Sequence, residues 1–209
     1  MPAGRFNCPL PSARHAPAGL PPATPRPGSH PLHSGKVILI AAGVAGCGKT
    51  TVGALLAGQL GWGFADADTF HPTANVEKMR SGIPLTDEDR WPWLRTIGTW
   101  MDARIAAGRS AVITCSALKR AYRDLLLDGR PAARMVFLEV SREELVRRLT
   151  ARHGHFFPEK LLDSQLADVE LPQPGEHVLT VAAEGDPEQV AGRIIALLWP
   201  DGVRERSHT

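Results

Sequence analysis

The order of apolar patterns in this chain predicts an α/β fold, a three-layer αβα sandwich with a five-stranded parallel sheet at its centre. Three observations carry that expectation. From Lys36 onward, short apolar runs alternate with segments of helical period. The first run, Val37 to Ala42, leads straight into Gly43-Val44-Ala45-Gly46-Cys47-Gly48-Lys49-Thr50, an uninterrupted G-x-x-x-x-G-K-[ST], and a helix-forming segment from Thr51 to Leu60 follows. Chemically distinctive residues then recur after later runs, Asp66 and Asp68 after one, Cys115 and Ser116 after another. A parallel sheet presents its ligand crevice there, at the carboxyl ends of its strands.

Taken in order, Trp62 to Ala65 reads as the second strand, ending at Asp66-Ala67-Asp68. A short helix is expected over Asn75 to Arg80. A longer one starts at the cap Thr86-Asp87-Glu88-Asp89 and keeps Trp93, Ile97, Met101 and Ile105 on one face until Gly108 stops it. Ser110 to Thr114 forms the third strand, with Ser116 as the cap of a helix over Ala117 to Leu127, and Arg134 to Val140 forms the fourth. Ser141-Arg142-Glu143-Glu144 has the form of a capping box and opens a helix carrying Leu145 and Leu149 inward. Val178 to Val181 is the last strand. Asp186-Pro187 then starts a terminal helix with Val190, Ile194 and Leu197 on one side.

The first 34 residues stand apart. They hold nine of the 18 prolines, show no hydrophobic period and carry +3 through Arg5, Arg14 and Arg26. Such composition cannot bury enough apolar surface to offset its ordering entropy, so residues 1–34 are expected to be a disordered leader and residues 35–209 the folded domain. With a whole-chain charge of +2, that domain carries −1, and no basic stripe with interleaved aromatics marks a nucleic-acid footprint. Three cysteines without C-x-x-C spacing argue against a disulfide framework or a zinc site. No apolar run reaches membrane-span length, so a soluble protein of the cytoplasm is expected.

The glycine-rich loop has a direct chemical reading. Its glycines let the backbone bend so that successive N–H groups, from Gly43, Val44, Ala45, Gly46, Cys47 and Gly48 into Lys49, Thr50 and Thr51, point at phosphate oxygens at the positive end of a helix. Lys49 would reach the outer phosphates of ATP, and Thr50 would hold Mg²⁺. Asp66 and Asp68, two apart in an extended backbone, would face the same crevice, one supporting Mg²⁺ and the other accepting a hydrogen bond from an attacking hydroxyl. Paired aspartates are also ordinary turn formers.

Three further stretches carry a resemblance: His71-Pro72-Thr73-Ala74-Asn75-Val76-Glu77-Lys78-Met79-Arg80 through Trp93-Leu94; Cys115-Ser116-Ala117-Leu118-Lys119-Arg120-Ala121-Tyr122-Arg123-Asp124; and Arg152-His153-Gly154-His155-Phe156-Phe157. Together they resemble the gluconokinases, small P-loop kinases related in fold to shikimate kinase, over nearly everything from Lys36 to Trp199. Cys47 stands where a serine is frequent, and the leader has no counterpart. The resemblance implies ATP-dependent phosphorylation of the 6-hydroxyl of D-gluconate with Mg²⁺, Asp68 as base or orienter, and a homodimeric enzyme. A polyol carboxylate needs cations and hydrogen-bonding groups, and Lys119, Arg123 and Ser116 are the leading candidates, with His71, Arg80 and His155 as weaker ones. The similar kinases also imply a mobile lid at approximately 148–165, hinged at Gly154, whose Arg148 and Arg152 would reach the transferring phosphoryl group. Tyr122 and the tryptophans of the long helix are expected to be packing residues, and Asp87 to Asp89 to be caps. The glycine triplet of shikimate kinases is absent at Cys115-Ser116-Ala117, and no N-K-x-D supports a GTP switch.

Overall fold

A computed structural model describes residues 36–151 and 159–200. Five strands, β1 (Ile38–Ala42), β2 (Gly63–Asp66), β3 (Ala111–Cys115), β4 (Ala133–Glu139) and β5 (Val178–Ala182), pair in parallel in the order β2-β3-β1-β4-β5. Ile40 of the central strand lies opposite Ile113 and Met135. All five residues of β1 are apolar and buried, as a strand covered on both faces by helices must be.

Because successive side chains alternate across the sheet, each strand feeds two cores. Leu39, Val112, Val136 and Val181 pack with α1 (Lys49–Leu60), α5 (Arg142–Ala151), α6 (Glu159–Asp168) and α7 (Pro187–Leu198), through Leu56, Leu145, Leu162 and Ile194 among others. Ile38, Ile40, Ile113, Met135 and Phe137 face α3 (Asp87–Ala106) and α4 (Arg120–Leu127), whose Trp93, Leu94, Ile97, Met101 and Leu126 close the second core. Each such side chain contributes about 1.5–3 kcal/mol by leaving water. The remaining helix, α2 (Thr73–Arg80), follows a single 3₁₀ turn over Ala67–Phe70.

Several local expectations give way to tertiary partners. The second strand ends at Asp66, and the Asp66 carboxylate caps the 3₁₀ turn by accepting the Asp68 N–H at 3.1 Å, so the two aspartates are not neighbours on an extended strand. Ser116 is no cap: Ala117 sits at φ 41, α4 begins at Arg120 with Lys119 before it, and the first helical N–H goes to Glu170 at 2.6 Å. The Ser141 N–H is bonded to Glu184 at 3.2 Å, and the Glu144 carboxylate to Arg147 and Arg148, so the reciprocal Ser141–Glu144 box does not form. The Thr86–Asp89 capping box does form at α3. Leu197, expected on the inner face of α7, is 59% exposed, and Ala191 packs inside beside Val190 and Ile194. Helix α6 was not anticipated as a separate element.

Candidate active site

The loop after β1 curls around its own backbone. Gly43, Gly46 and Gly48 have φ of 138, 82 and 99°, a region that strains any L side chain. A Cβ at Gly43 would also lie 2.8 Å from the Leu138 carbonyl. The Gly43 N–H is held by the Ser116 carbonyl at 3.2 Å, tying the loop to the end of β3. The first turn of α1 has no side-chain cap, and the Gly46 and Gly48 amides have no protein partner among the described residues. Unpaired amides at the positive end of a helix form an anion cradle. Lys49 lies over it, with Nζ bonded to the Val44 carbonyl at 2.8 Å, and the Cys47 side chain is buried beneath.

In the first turn of α1, the Thr50 hydroxyl donates to Asp66 Oδ2 at 3.1 Å, which joins loop and second strand. A hydroxyl and a carboxylate side by side are hard oxygen donors that suit Mg²⁺, an ion that takes few protein ligands and completes its shell with phosphate and water. Among the described residues no group of three or more His, Cys, Asp or Glu side chains could hold a metal, so an ion here would take its remaining ligands from phosphate and water.

Asp68 sits one residue into the 3₁₀ turn. Burial raises its pKa, nearby Lys49 lowers it, and Asp66 raises it further, for a net upward shift. Asp68 is nonetheless exposed to solvent, just past the carboxyl end of β2, where a parallel sheet opens its ligand crevice. The turn is pinned from α3, where Trp93 Nε1 donates to the Ala67 carbonyl at 2.7 Å. Trp93 also stacks on His71, ring centroids 4.1 Å apart, while Asn75 Nδ2 lies 3.4 Å from His71 Nδ1. Burial and the neighbouring Arg90 charge push the His71 pKa down to about 4, so the ring is neutral at pH 7. Cys115, at the end of β3, is pushed up to about 12 by burial and stays a thiol.

Beyond this crevice lies a network the sequence did not announce. Lys119 Nζ donates to Asp87 Oδ1 at 2.7 Å, Arg90 Nη1 to Asp168 Oδ2 at 2.8 Å and to the Tyr122 hydroxyl at 3.1 Å, and the Tyr122 hydroxyl to Asp87. Hydrogen bonds from Lys119 and then Tyr122 hold Asp87 below the usual carboxylate range. Tyr122 is therefore a hydrogen-bonding member of this network as well as a packing residue, and Asp87 does more than open a helix. Their signal was the spacing Asp87–Arg90, one turn apart, but an acidic first turn reads equally well as a cap.

Arg123 corrects the expected basic face. It is wholly buried, bonded to Glu176 at 2.8 and 3.1 Å and to the carbonyls of Leu118 and Glu170, and it is not open to a ligand. The late start of α4 explains this, since Lys119 precedes the helix while Arg123 turns inward. Arg80 ends α2 on an exposed face, apart from the network.

On the other side of the loop, a cavity of about 340 Å³ is lined by Gly48, Thr51, Arg147, Arg148, Gly185 and Pro187 among others. All three guanidinium nitrogens of Arg148 are bonded to protein: Nε to Glu144 at 2.6 Å, Nη1 to the Cys47 carbonyl at 3.0 Å and Nη2 to the Ala183 carbonyl at 2.8 Å. It braces the loop and the cavity floor, where the sequence reading had it reaching the phosphoryl group. Arg152, Gly154 and His155, with the middle of the expected lid, lie outside the described residues.

A phosphate cradle, a hydroxyl–carboxylate pair and a crevice carboxylate at the strand ends of a parallel sheet define a P-loop phosphotransferase. Comparison narrows the class. The AAA domain family matches residues 38–172. A gluconokinase of Gluconobacter oxydans (strain 621H) is 48% identical over 157 residues, 75% of this chain and 88% of that protein. The crystal structure of a sugar kinase from Janibacter sp. HTCC2649 superposes with a TM-score of 0.74 at 46% identity, covering 78% of this chain and 94% of the other. That of a gluconokinase from Sinorhizobium meliloti 1021 does so with 0.71 at 38%, covering 81% and 94%. The chain belongs to the gluconokinase family, a group of kinases that draw on ATP.

Proposed function

We propose that this protein transfers the γ-phosphoryl group of ATP to the 6-hydroxyl of D-gluconate, giving 6-phospho-D-gluconate and ADP. The observation that carries the reading is the position of Asp68, with Lys49 of the anion cradle close enough to shift its pKa on one side and the Lys119–Asp87–Tyr122–Arg90 network beyond it. Gly46 and Gly48 amides and Lys49 receive the outer phosphates, and the cavity beside Thr51 and Pro187 takes the nucleoside end. Thr50 and Asp66 are the residues that would hold Mg²⁺, which supplies charge neutralisation at the phosphates.

On the acceptor side, Lys119 offers a cation to the gluconate carboxylate. Neutral His71 and the Ser116 hydroxyl offer hydrogen bonds to the polyol, and Arg80 and His155 remain weaker members of the set. Asp68 orients the 6-hydroxyl and takes its proton as the new O–P bond forms and the β–γ bridge breaks, the electron pair leaving on ADP. Its raised pKa suits a proton acceptor. Transfer through a loose transition state depends mainly on such positioning and on charge, so Lys49 contributes most where negative charge spreads over the equatorial oxygens.

Resemblance supports Arg152 as a lid arginine and a homodimer, cysteine usage supports a cytoplasmic location, and composition supports residues 1–34 as a leader to the domain of residues 35–209. Among the described residues no helix is long and apolar enough to cross a membrane. A steady-state assay of ADP release with gluconate, shikimate and nucleoside monophosphates tests the substrate. Release that depends on gluconate is expected; preference for another acceptor, or hydrolysis independent of any acceptor, overturns the proposal.

A further inference from the structure

Helix α6 touches both halves of the site. Gln165 Oε1 accepts the Ala45 N–H of the phosphate loop at 2.7 Å. Three residues on, and so on the same helical face, Asp168 accepts from Arg90 at 2.8 Å and lies 3.9 Å from Lys119. Just past the helix, the Glu170 N–H donates to the Leu118 carbonyl, the Glu170 carboxylate accepts the Arg120 N–H, and its carbonyl accepts from Arg123. Among the described residues, this short helix and the residue just past it are thus fastened to the donor loop by one hydrogen bond and to the acceptor side by several.

The bond at Gln165 has a specific place in the loop. It takes the amide of Ala45, on the rising limb, and leaves the Gly46 and Gly48 amides open. A side chain that obstructed phosphate would occupy the cradle itself; Gln165 instead satisfies a part-buried amide next to it, and Arg148 and Leu149 of α5 press on the same loop at Cys47 and Gly46.

We propose that Gln165 is a positioning residue for the donor loop, and that α6 is the strut through which occupancy of the acceptor site changes affinity for the nucleotide. An acceptor carboxylate that draws on Lys119 changes what Asp168 is paired with, and the helix carries that change one turn along to Ala45. The first half stands on the loop geometry alone; the second rests on the gluconate reading above.

Calorimetric titration of the full-length protein with a non-hydrolysable ATP analogue and Mg²⁺, with and without D-gluconate, tests both. In the wild-type protein, gluconate tightens the analogue at least about threefold, and reciprocally. Gln165→Met keeps the volume and removes the acceptor oxygen. It should raise the analogue Kd about three- to tenfold, the loss expected when one hydrogen bond to a backbone amide is removed, leave the Kd for gluconate alone unchanged, and abolish the coupling. In turnover, KM for ATP rises while KM for gluconate at low nucleotide does not. Asp168→Asn should lose the coupling while binding the analogue alone as the wild type does. An analogue Kd in Gln165→Met that is unchanged or tighter overturns the positioning role. Absence of coupling in the wild type, including failure to bind gluconate at all, or coupling retained in either variant, overturns the strut while leaving the analogue-alone result to decide Gln165. Thermal unfolding of both variants close to wild type is expected; a variant that does not fold is replaced by Gln165→Leu, read in the same way.

Discussion

Replacing His71 by Gln removes a titrating ring from the packing between the 3₁₀ turn and α3, and the structure sets the size and sign of the result. The folded ring, stacked on Trp93 and facing Arg90, protonates only near pH 4, whereas an unfolded histidine does so near 6.5. Between those values the unfolded chain holds the extra proton, so His71 makes stability fall as pH drops from 6.5 and level off below 4. At about 1.36 kcal/mol per pK unit, the shift amounts to about 2 kcal/mol lost between pH 7 and pH 5. The ring is only partly buried, and discounting for solvent screening leaves about 1 kcal/mol. Urea unfolding of wild type and His71→Gln at pH 7, 6 and 5 reads this directly, because every other group titrates alike in both. The stability difference, wild type minus variant, should decline by about 1 kcal/mol from pH 7 to pH 5. A difference that does not change with pH would show that the ring titrates in the fold as it does in the unfolded chain, and would refute the burial and the Arg90 charge as controls on His71.

Four other outcomes follow from the site. Asp68→Asn should lower turnover at least about 100-fold with analogue binding kept, and should remove the acid limb of the kcat/KM profile, since activity rises with pH as Asp68 loses its proton; unchanged turnover removes Asp68 from the mechanism. Lys119→Met should raise KM for gluconate about tenfold, at the low end for a charge-assisted bond because Asp87 already shares the ammonium, with KM for ATP unaltered. Arg123→Met strands Glu176 in the interior and should cost about 3–5 kcal/mol in chemical unfolding, while the KM for gluconate of the folded fraction stays put. Mg²⁺ alone should leave the thermal midpoint unchanged and raise it only together with the ATP analogue, because among the described residues no group of three or more His, Cys, Asp or Glu side chains could hold the ion; a shift with Mg²⁺ alone would point to a preformed metal site.

Much of the fold was legible because its signals are local. Five short apolar runs, a glycine pattern that needs positive φ, and the Thr86–Asp89 box each specify geometry within a few residues, and the strands and most helices lie within a residue or two of expectation. The errors cluster where a distant residue supplies a bond that a neighbour was expected to make. Glu170 takes the Arg120 amide in place of Ser116, and Glu184 takes the Ser141 amide in place of Glu144. Both acceptors are more than 40 positions away in sequence, and spacing rules do not see them.

By itself the sequence determined that a glycine loop with positive φ follows the first strand, that Thr50 follows the lysine, and that Asp66 ends the second strand: backbone torsion and strand polarity dictate these wherever the rest of the chain lies. Which charges meet was decided only in three dimensions. Lys119 and Arg123, four apart and chemically alike, part company because the helix starts late, leaving one at the rim beside Asp87 and drawing the other into the interior onto Glu176. Arg148 became a brace of the phosphate loop because the Cys47 and Ala183 carbonyls converge on it from the loops after β1 and β5. Burial and electrostatics are properties of the packed whole, and Asp68 shows it: a turn residue by local pattern, and a carboxylate with a raised pKa once Asp66, Lys49 and the crevice walls surround it.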